Sequence, residues 1–207
     1  MHKLHIKVCG MRDLKNIQSL STLPITHIGF IFHSKSQRFV QEKLDLKQID
    51  LQTIKKTGVF VNATVEEINA KIMEYDLQAV QLHGAESPAF CQALKGNSVE
   101  IIKAFGIDNE FVWTDLLPYE EVVDYFLFDT KTSTHGGSGK SFNWEVLTNY
   151  SLDKPYFLSG GLSIDNIERT KELHDERLYG LDLNSKFESK PGIKNIKLIE
   201  QALNLLK

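Results

Sequence analysis

Short apolar runs rich in Val, Ile and aromatic residues punctuate the chain, and each gives way to an amphipathic or loop-like stretch. Eight of them read as strands: residues 4–9, 27–32, 58–61, 79–83, 100–105, 125–129, 156–159 and 178–183. Between them the apolar spacing lengthens toward the helical period. Residues 13–20 open on the acidic cap Asp13, and Thr64 with Glu67 forms a capping box ahead of 65–75. Ser87-Pro88 opens a helix over 89–94, with proline at its first position and Gly96 as its stop. Ser163 starts another that runs through Leu173, and 194–206 places Ile196, Ile199, Ala202 and Leu203 on one face. Residues 108–121 contain Pro118, which predicts an irregular fifth helix or a loop.

Strand–helix alternation from end to end predicts an α/β protein with a parallel sheet. Eight repeats favour a closed (β/α)8 TIM barrel over an open sheet, and 207 residues lies near the lower limit for that fold. No Pro/Gly/Ser-rich linker divides the chain, so residues 1–207 are expected to form one catalytic domain. In such a barrel the chemistry sits at the C-terminal ends of the strands. The polar residues predicted there are Cys9, Asn62, His83, Asp129, Ser159 with Gly160 and Gly161, and Asp182.

Composition narrows the class. With 42% hydrophobic and 25% charged residues, the chain has enough apolar surface to order itself. A net charge of -3 and the lack of a basic cluster beyond 186–197 argue against a nucleic-acid partner. No apolar run reaches the ~18 residues of a membrane span, and the N-terminus lacks a signal peptide's apolar stretch. Cys9 and Cys91 are far apart and lack zinc-site spacing, which fits a reducing, cytoplasmic setting without a structural metal.

Each candidate site residue has a bland alternative. Cys9 closes the first strand in Lys7-Val8-Cys9-Gly10-Met11; a packing cysteine is the alternative, but a rim position beside a glycine favours chemistry. Strand alternation places Lys7 on the same face, where its ammonium is expected to favour the thiolate. Asp129 ends the sixth strand and precedes a Gly-rich loop over 135–142; it could be a simple turn cap. That loop is no nucleotide P-loop, because Thr134 stands five positions before Gly139 where a glycine is required. Gly160-Gly161 leads from a strand toward a helix N-terminus, and Ser185-Lys186 follows the eighth strand; in many barrels this pair of loops holds a phosphate. Arg38 could fork onto a carboxylate or be an ordinary surface arginine. His83 could be a ligand group or hydrogen-bonded structure, and Cys91 reads as packing.

Taken together, KVCGM at 7–11, GVFVN at 58–62, VQLHG at 80–84, FDT at 128–130, GGSGKSFNW at 136–144 and SGGLSIDNI at 159–167 resemble the phosphoribosylanthranilate isomerase family of tryptophan biosynthesis. A looser match covers 181–195, with Gln37, Lys186 and Asn195 departing from the family pattern. The resemblance implies an Amadori rearrangement of N-(5-phosphoribosyl)anthranilate to the 1-deoxyribulose phosphate. Cys9 would be the general base and Asp129 the general acid. It also implies carboxylate recognition by Arg38, sugar contacts from Asp182, and phosphate contacts from the Gly160-Gly161 and Ser185 loops. Beside the resemblance, His83 is a secondary substrate-binding candidate from its rim position, and Lys186, though a departure from the pattern, could help hold an anionic phosphate. No cofactor is implied, because the rearrangement needs no external electron sink. The implied partner is a phosphoribosylated small molecule; the oligomeric state is left open. Another phosphosugar aldose–ketose isomerase barrel, or a phosphometabolite-binding barrel without catalysis, are the rival readings.

Overall fold

The computed structural model describes residues 4–41, 44–131 and 143–207; the Gly-rich loop at 135–142 lies outside them. Eight parallel strands close into a barrel in chain order: β1 (His5–Val8), β2 (His27–Ile31), β3 (Lys55–Phe60), β4 (Ala79–Leu82), β5 (Glu100–Ile107), β6 (Tyr125–Thr130), β7 (Tyr156–Leu158) and β8 (Leu178–Leu183). Closure comes from β1 pairing with β8, Lys7 opposite Asp182. All eight lie where the apolar runs predict them.

Alternation along each strand separates two cores. Ile6 and Val8 of β1 and Phe126 and Phe128 of β6 face outward into the main cluster with Ile17, Leu20, Ile68 and Leu203 of the helices. The intervening residues turn inward, where Ala79, Ile102, Ala104, Leu127 and Phe157 form a smaller cluster.

Four α-helices cover the barrel: α1 (Leu14–Leu20), α2 (Val65–Tyr75), α3 (Pro88–Leu94) and α4 (Ile196–Leu205). Their starts follow local chemistry. Asp13 accepts from the Asn16 N–H, Ser87 caps α3 with Pro88 at its first turn, and Thr64 and Glu67 make the reciprocal capping box.

Several expectations need correction. Residues 163–173 form no α-helix; a 3-10 turn spans Ile167–Leu173 only. Asn166 explains why, since its side chain accepts from Ser163 N–H and donates to Gly161 O, while Thr170 Oγ1 donates to Ile167 O. Such side-chain bonds compete with the helical ladder. α3 ends at Leu94 as expected, but Gly96 lies inside a following 3-10 turn over Lys95–Asn97, and Ser98 rather than the glycine takes the left-handed conformation. The last helix starts two residues late, because Lys194 belongs to a hairpin of β9 (Glu188–Lys190) and β10 (Ile193–Lys194) that the apolar pattern does not predict. Asn195 then caps α4. After β5 the irregular element is a 3-10 turn, Trp113–Tyr119, with Pro118 inside it.

Candidate active site

β1 carries Cys9 to the C-terminal rim, where its N–H donates to Leu183 O at 2.9 Å. Gly29 on β2 makes room for the thiol: a Cβ there would stand 2.8 Å from Sγ. One pleat below, Lys7 Nζ donates to Asp182 Oδ1 at 2.9 Å, and both residues are buried. Burial works to lower the Lys7 pKa, yet the Asp182 carboxylate and the Cys9 sulfur outweigh it and raise the ammonium above its ordinary value.

The effect on Cys9 differs from expectation. Burial pushes the thiol up, and although Lys7 and Lys194 pull it down, burial prevails, helped by the Asp182 charge. A neighbouring cation alone does not make a thiolate in a site with 3% of the cysteine exposed.

Across the rim, Asp129 is the penultimate residue of β6. Its Oδ1 accepts from Thr130 N–H at 2.8 Å, and its Oδ2 lies 3.4 Å from His83 Nε2. His83 Nδ1 is 2.7 Å from Gln81 Nε2, so the imidazole is held from both sides. Gly160, at φ +84, brings bare backbone against this carboxylate; a Cβ would stand 2.8 Å from Asp129 Oδ1 and collide with Thr130. Asp182 joins the two halves, since its carboxyl feels the charges of Lys7, Asp129 and His83 together.

Gly161 follows at φ +69, but with no α-helix behind it the helix-N-terminus argument for phosphate does not hold here. Ser185 and Lys186 sit on a 3-10 turn directly after β8, Ser185 half-buried and Lys186 exposed.

Arg38 is no loose surface arginine. It grips Glu188 with Nε to Oε1 at 2.9 Å and Nη2 to Oε2 at 2.7 Å. Glu188 also accepts from Lys194 Nζ at 2.6 Å, and Lys194 donates to Asn184 Oδ1 at 2.9 Å. Burial works to raise the Glu188 carboxyl, but Arg38 and Lys194 hold it below its ordinary value. Glu188 and Lys194 were not among the candidates; the Pro191-Gly192 turn signal between them could have placed both on one hairpin. A second omission is Glu86, buried against Lys103 at 3.1 Å. Its carboxylate accepts from Asn62 and Gly84 N–H, tying together the turns after β3 and β4.

Among the described residues no group of three or more His, Cys, Asp or Glu is placed to hold a metal, and no helix is long and apolar enough to cross a membrane.

A closed eight-stranded barrel whose C-terminal rim carries a thiol, two carboxylates and an imidazole places the chain in the (β/α)8 class. Sequence and fold comparisons narrow it further. The profile of the family N-(5'-phosphoribosyl)anthranilate (PRA) isomerase matches residues 6–204. An N-(5'-phosphoribosyl)anthranilate isomerase from Parabacteroides distasonis is 45% identical over 197 residues, covering 92% of this chain and 88% of its own. The crystal structure of phosphoribosyl anthranilate isomerase from Thermotoga maritima aligns with a TM-score of 0.84 at 32% identity, covering 98% of each chain. A phosphoribosyl anthranilate isomerase bound to reduced 1-(o-carboxyphenylamino)-1-deoxyribulose 5-phosphate aligns with a TM-score of 0.80 at 28% identity, over 98% of this chain and 97% of that one. The chain belongs to the N-(5'-phosphoribosyl)anthranilate isomerase family.

Proposed function

We propose that this chain, acting as one catalytic domain in the cytoplasm, converts N-(5'-phosphoribosyl)anthranilate to 1-(2-carboxyphenylamino)-1-deoxyribulose 5-phosphate in tryptophan biosynthesis. Family membership carries the reaction, and the relative bound to the reduced product analogue supports the substrate class. The division of labour rests on Cys9 and Asp129 standing at the C-terminal ends of β1 and β6 on the same rim, with Asp182 electrostatically coupled to both.

In this reading Asp129 delivers a proton to the furanose ring oxygen, and the ring opens to an iminium at C1. The iminium acidifies the C2 proton, which Cys9 removes as a thiolate. The resulting enolamine tautomerises to the ketone, so atoms and electrons balance within one substrate and no cofactor is needed. His83, 3.4 Å from Asp129, orients that carboxyl and reaches toward the substrate. Asp182 contacts a sugar hydroxyl. Arg38 uses Nε and Nη2 on Glu188, which leaves Nη1 for the anthranilate carboxylate. Gly160 and Gly161 offer backbone N–H groups to the phosphate, with Ser185 and Lys186 on the neighbouring loop.

The test is turnover of freshly generated substrate, followed by loss of anthranilate fluorescence. Cys9→Ala and Asp129→Ala are each expected to lose on the order of 10²–10⁴-fold in kcat while still binding the product analogue. Undiminished turnover in both variants would falsify the acid–base assignment. No turnover in the parent protein would favour a binding barrel without catalysis.

A further inference from the structure

The charged groups that act on Cys9 come from three strands. Lys7 shares β1 with it, Asp182 stands on β8, and Lys194 arrives from β10. Behind Lys194 lie Glu188 on β9 and Arg38 on the segment after β2. The nearest β2 residue, Gly29, brings no charge.

Counting these charges leaves an imbalance. Asp182 balances the charge of Lys7 at 2.9 Å, although the same ammonium also acts directly on the Cys9 sulfur. Glu188 is shared between two cations, Arg38 at 2.7 Å and Lys194 at 2.6 Å, so this second group carries one positive charge in excess. Lys194 holds that charge in a site where its side chain has no exposure to water. A buried ammonium is costly unless oppositely charged or acceptor groups surround it.

Position connects the excess charge to the thiol. Lys194 Nζ bonds Asn184 Oδ1, and that oxygen lies 3.0 Å from where a side chain on Gly10 would begin. Asn184 follows Leu183, whose carbonyl accepts from the Cys9 N–H. The ammonium therefore sits one side chain away from the turn that presents the sulfur.

The geometry points to Lys194 as a further positioning residue for the base: the thiolate of Cys9 is the anion that completes its charge group. This rests on the reading of Cys9 as the general base. Lys7 acts on the sulfur more strongly, but Asp182 opposes it, whereas the charge of Lys194 is in excess within its own group. The electrostatic coupling of Cys9 and Lys194, each favouring the other's charged form, runs in the same direction.

The experiment titrates ligand-free protein by ultraviolet thiolate absorbance, with Cys9→Ala subtracted to isolate one sulfur. In Lys194→Gln the Cys9 midpoint is expected to move to higher pH, lowering the thiolate fraction at neutral pH about tenfold, the equivalent of one pKa unit. Lys194→Arg keeps the charge and should stay near the parent. Lys194→Met removes the charge while leaving an unbranched chain to fill the buried site and should raise the midpoint likewise, which keeps the idea testable if Lys194→Gln folds poorly. An unmoved midpoint in Lys194→Gln, or in Lys194→Met where the glutamine variant folds poorly, overturns the proposal. The ascending limb of kcat against pH separates the two layers. A thiol that shifts while the limb stays put sinks Cys9 as the base and leaves the Lys194–Cys9 coupling standing.

Discussion

At the N-terminal end of the barrel interior, His5 stacks on Tyr179 with centroids 4.0 Å apart; Phe157 and His27 pack edge to face against Tyr179, and Tyr125 lies tilted against it. Two residues further along the same strands, the interior changes character: His5 gives way to Lys7 and Cys9, and Tyr125 to Leu127 and then Asp129. The floor is a plug of rings and methyl groups; the rim is a set of charges held out of water. Close-packed rings stabilise the closed barrel by burial, and that surplus supports buried ionisable groups, which are stabilising only when every partner is present. One strand thus serves both ends, because alternation fixes which residues point inward while position along the strand fixes what they meet.

The contrast breaks most visibly at the rim. Asp129→Asn should lower kcat on the order of 10²–10⁴-fold while thermal unfolding stays close to the parent, read by parallel turnover and melting curves. The floor should respond in reverse. Phe157→Ala empties part of the plug and is expected to cost about 3–5 kcal/mol in urea unfolding, with turnover per folded molecule retained. Equal losses of activity in both variants would erase the division.

Lys7→Met probes the boundary. It strands Asp182 as a buried carboxylate and should destabilise by about 3 kcal/mol, most of it recovered in Lys7→Met/Asp182→Leu. If single and double variants unfold alike, the pair is not coupled.

His27 sharpens the account of the floor through pH. Burial holds its imidazole below the ordinary 6.5, although Glu100 works the other way. The unfolded chain then binds a proton that the folded one refuses, so stability is full above 6.5 and falls as pH drops from there toward the folded value. His27→Gln should flatten that slope in denaturation series at successive pH values. Outside the barrel, Thr64→Ala removes the α2 cap and should cost only about 1 kcal/mol, without touching either end.

The strands and the rim residues were legible because both depend on local spacing. An inward face repeats every second residue, so the eight apolar runs and the residues ending them mark the rim directly. The caps at Asp13, Thr64 and Ser87 are equally local. Arg38 and Glu188 meet across 150 positions of chain, and no spacing announces such a pair. The direction of the Cys9 shift was hidden for another reason. Sequence shows that Lys7 is a neighbour, but the burial that outweighs it emerges only when the barrel closes. The missing helix after β7 lay between these cases, since Asn166 binds the backbone in a way its spacing permits without requiring.

The crossovers have a consequence for how the molecule breathes. α-Helices follow β1, β3, β4 and β8, whereas the described residues that follow β5, β6 and β7 contain only 3-10 turns. Such turns have poorer hydrogen-bond geometry and open locally at low free energy. Amide hydrogen exchange should therefore be fast over Trp113–Tyr119 and Ile167–Leu173. The β5–β6 amides, paired from Ile102–Tyr125 to Ile107–Thr130, should exchange only when the whole barrel unfolds. One flank of the barrel can loosen while its sheet stays intact, and it is the flank on which Asp129 stands.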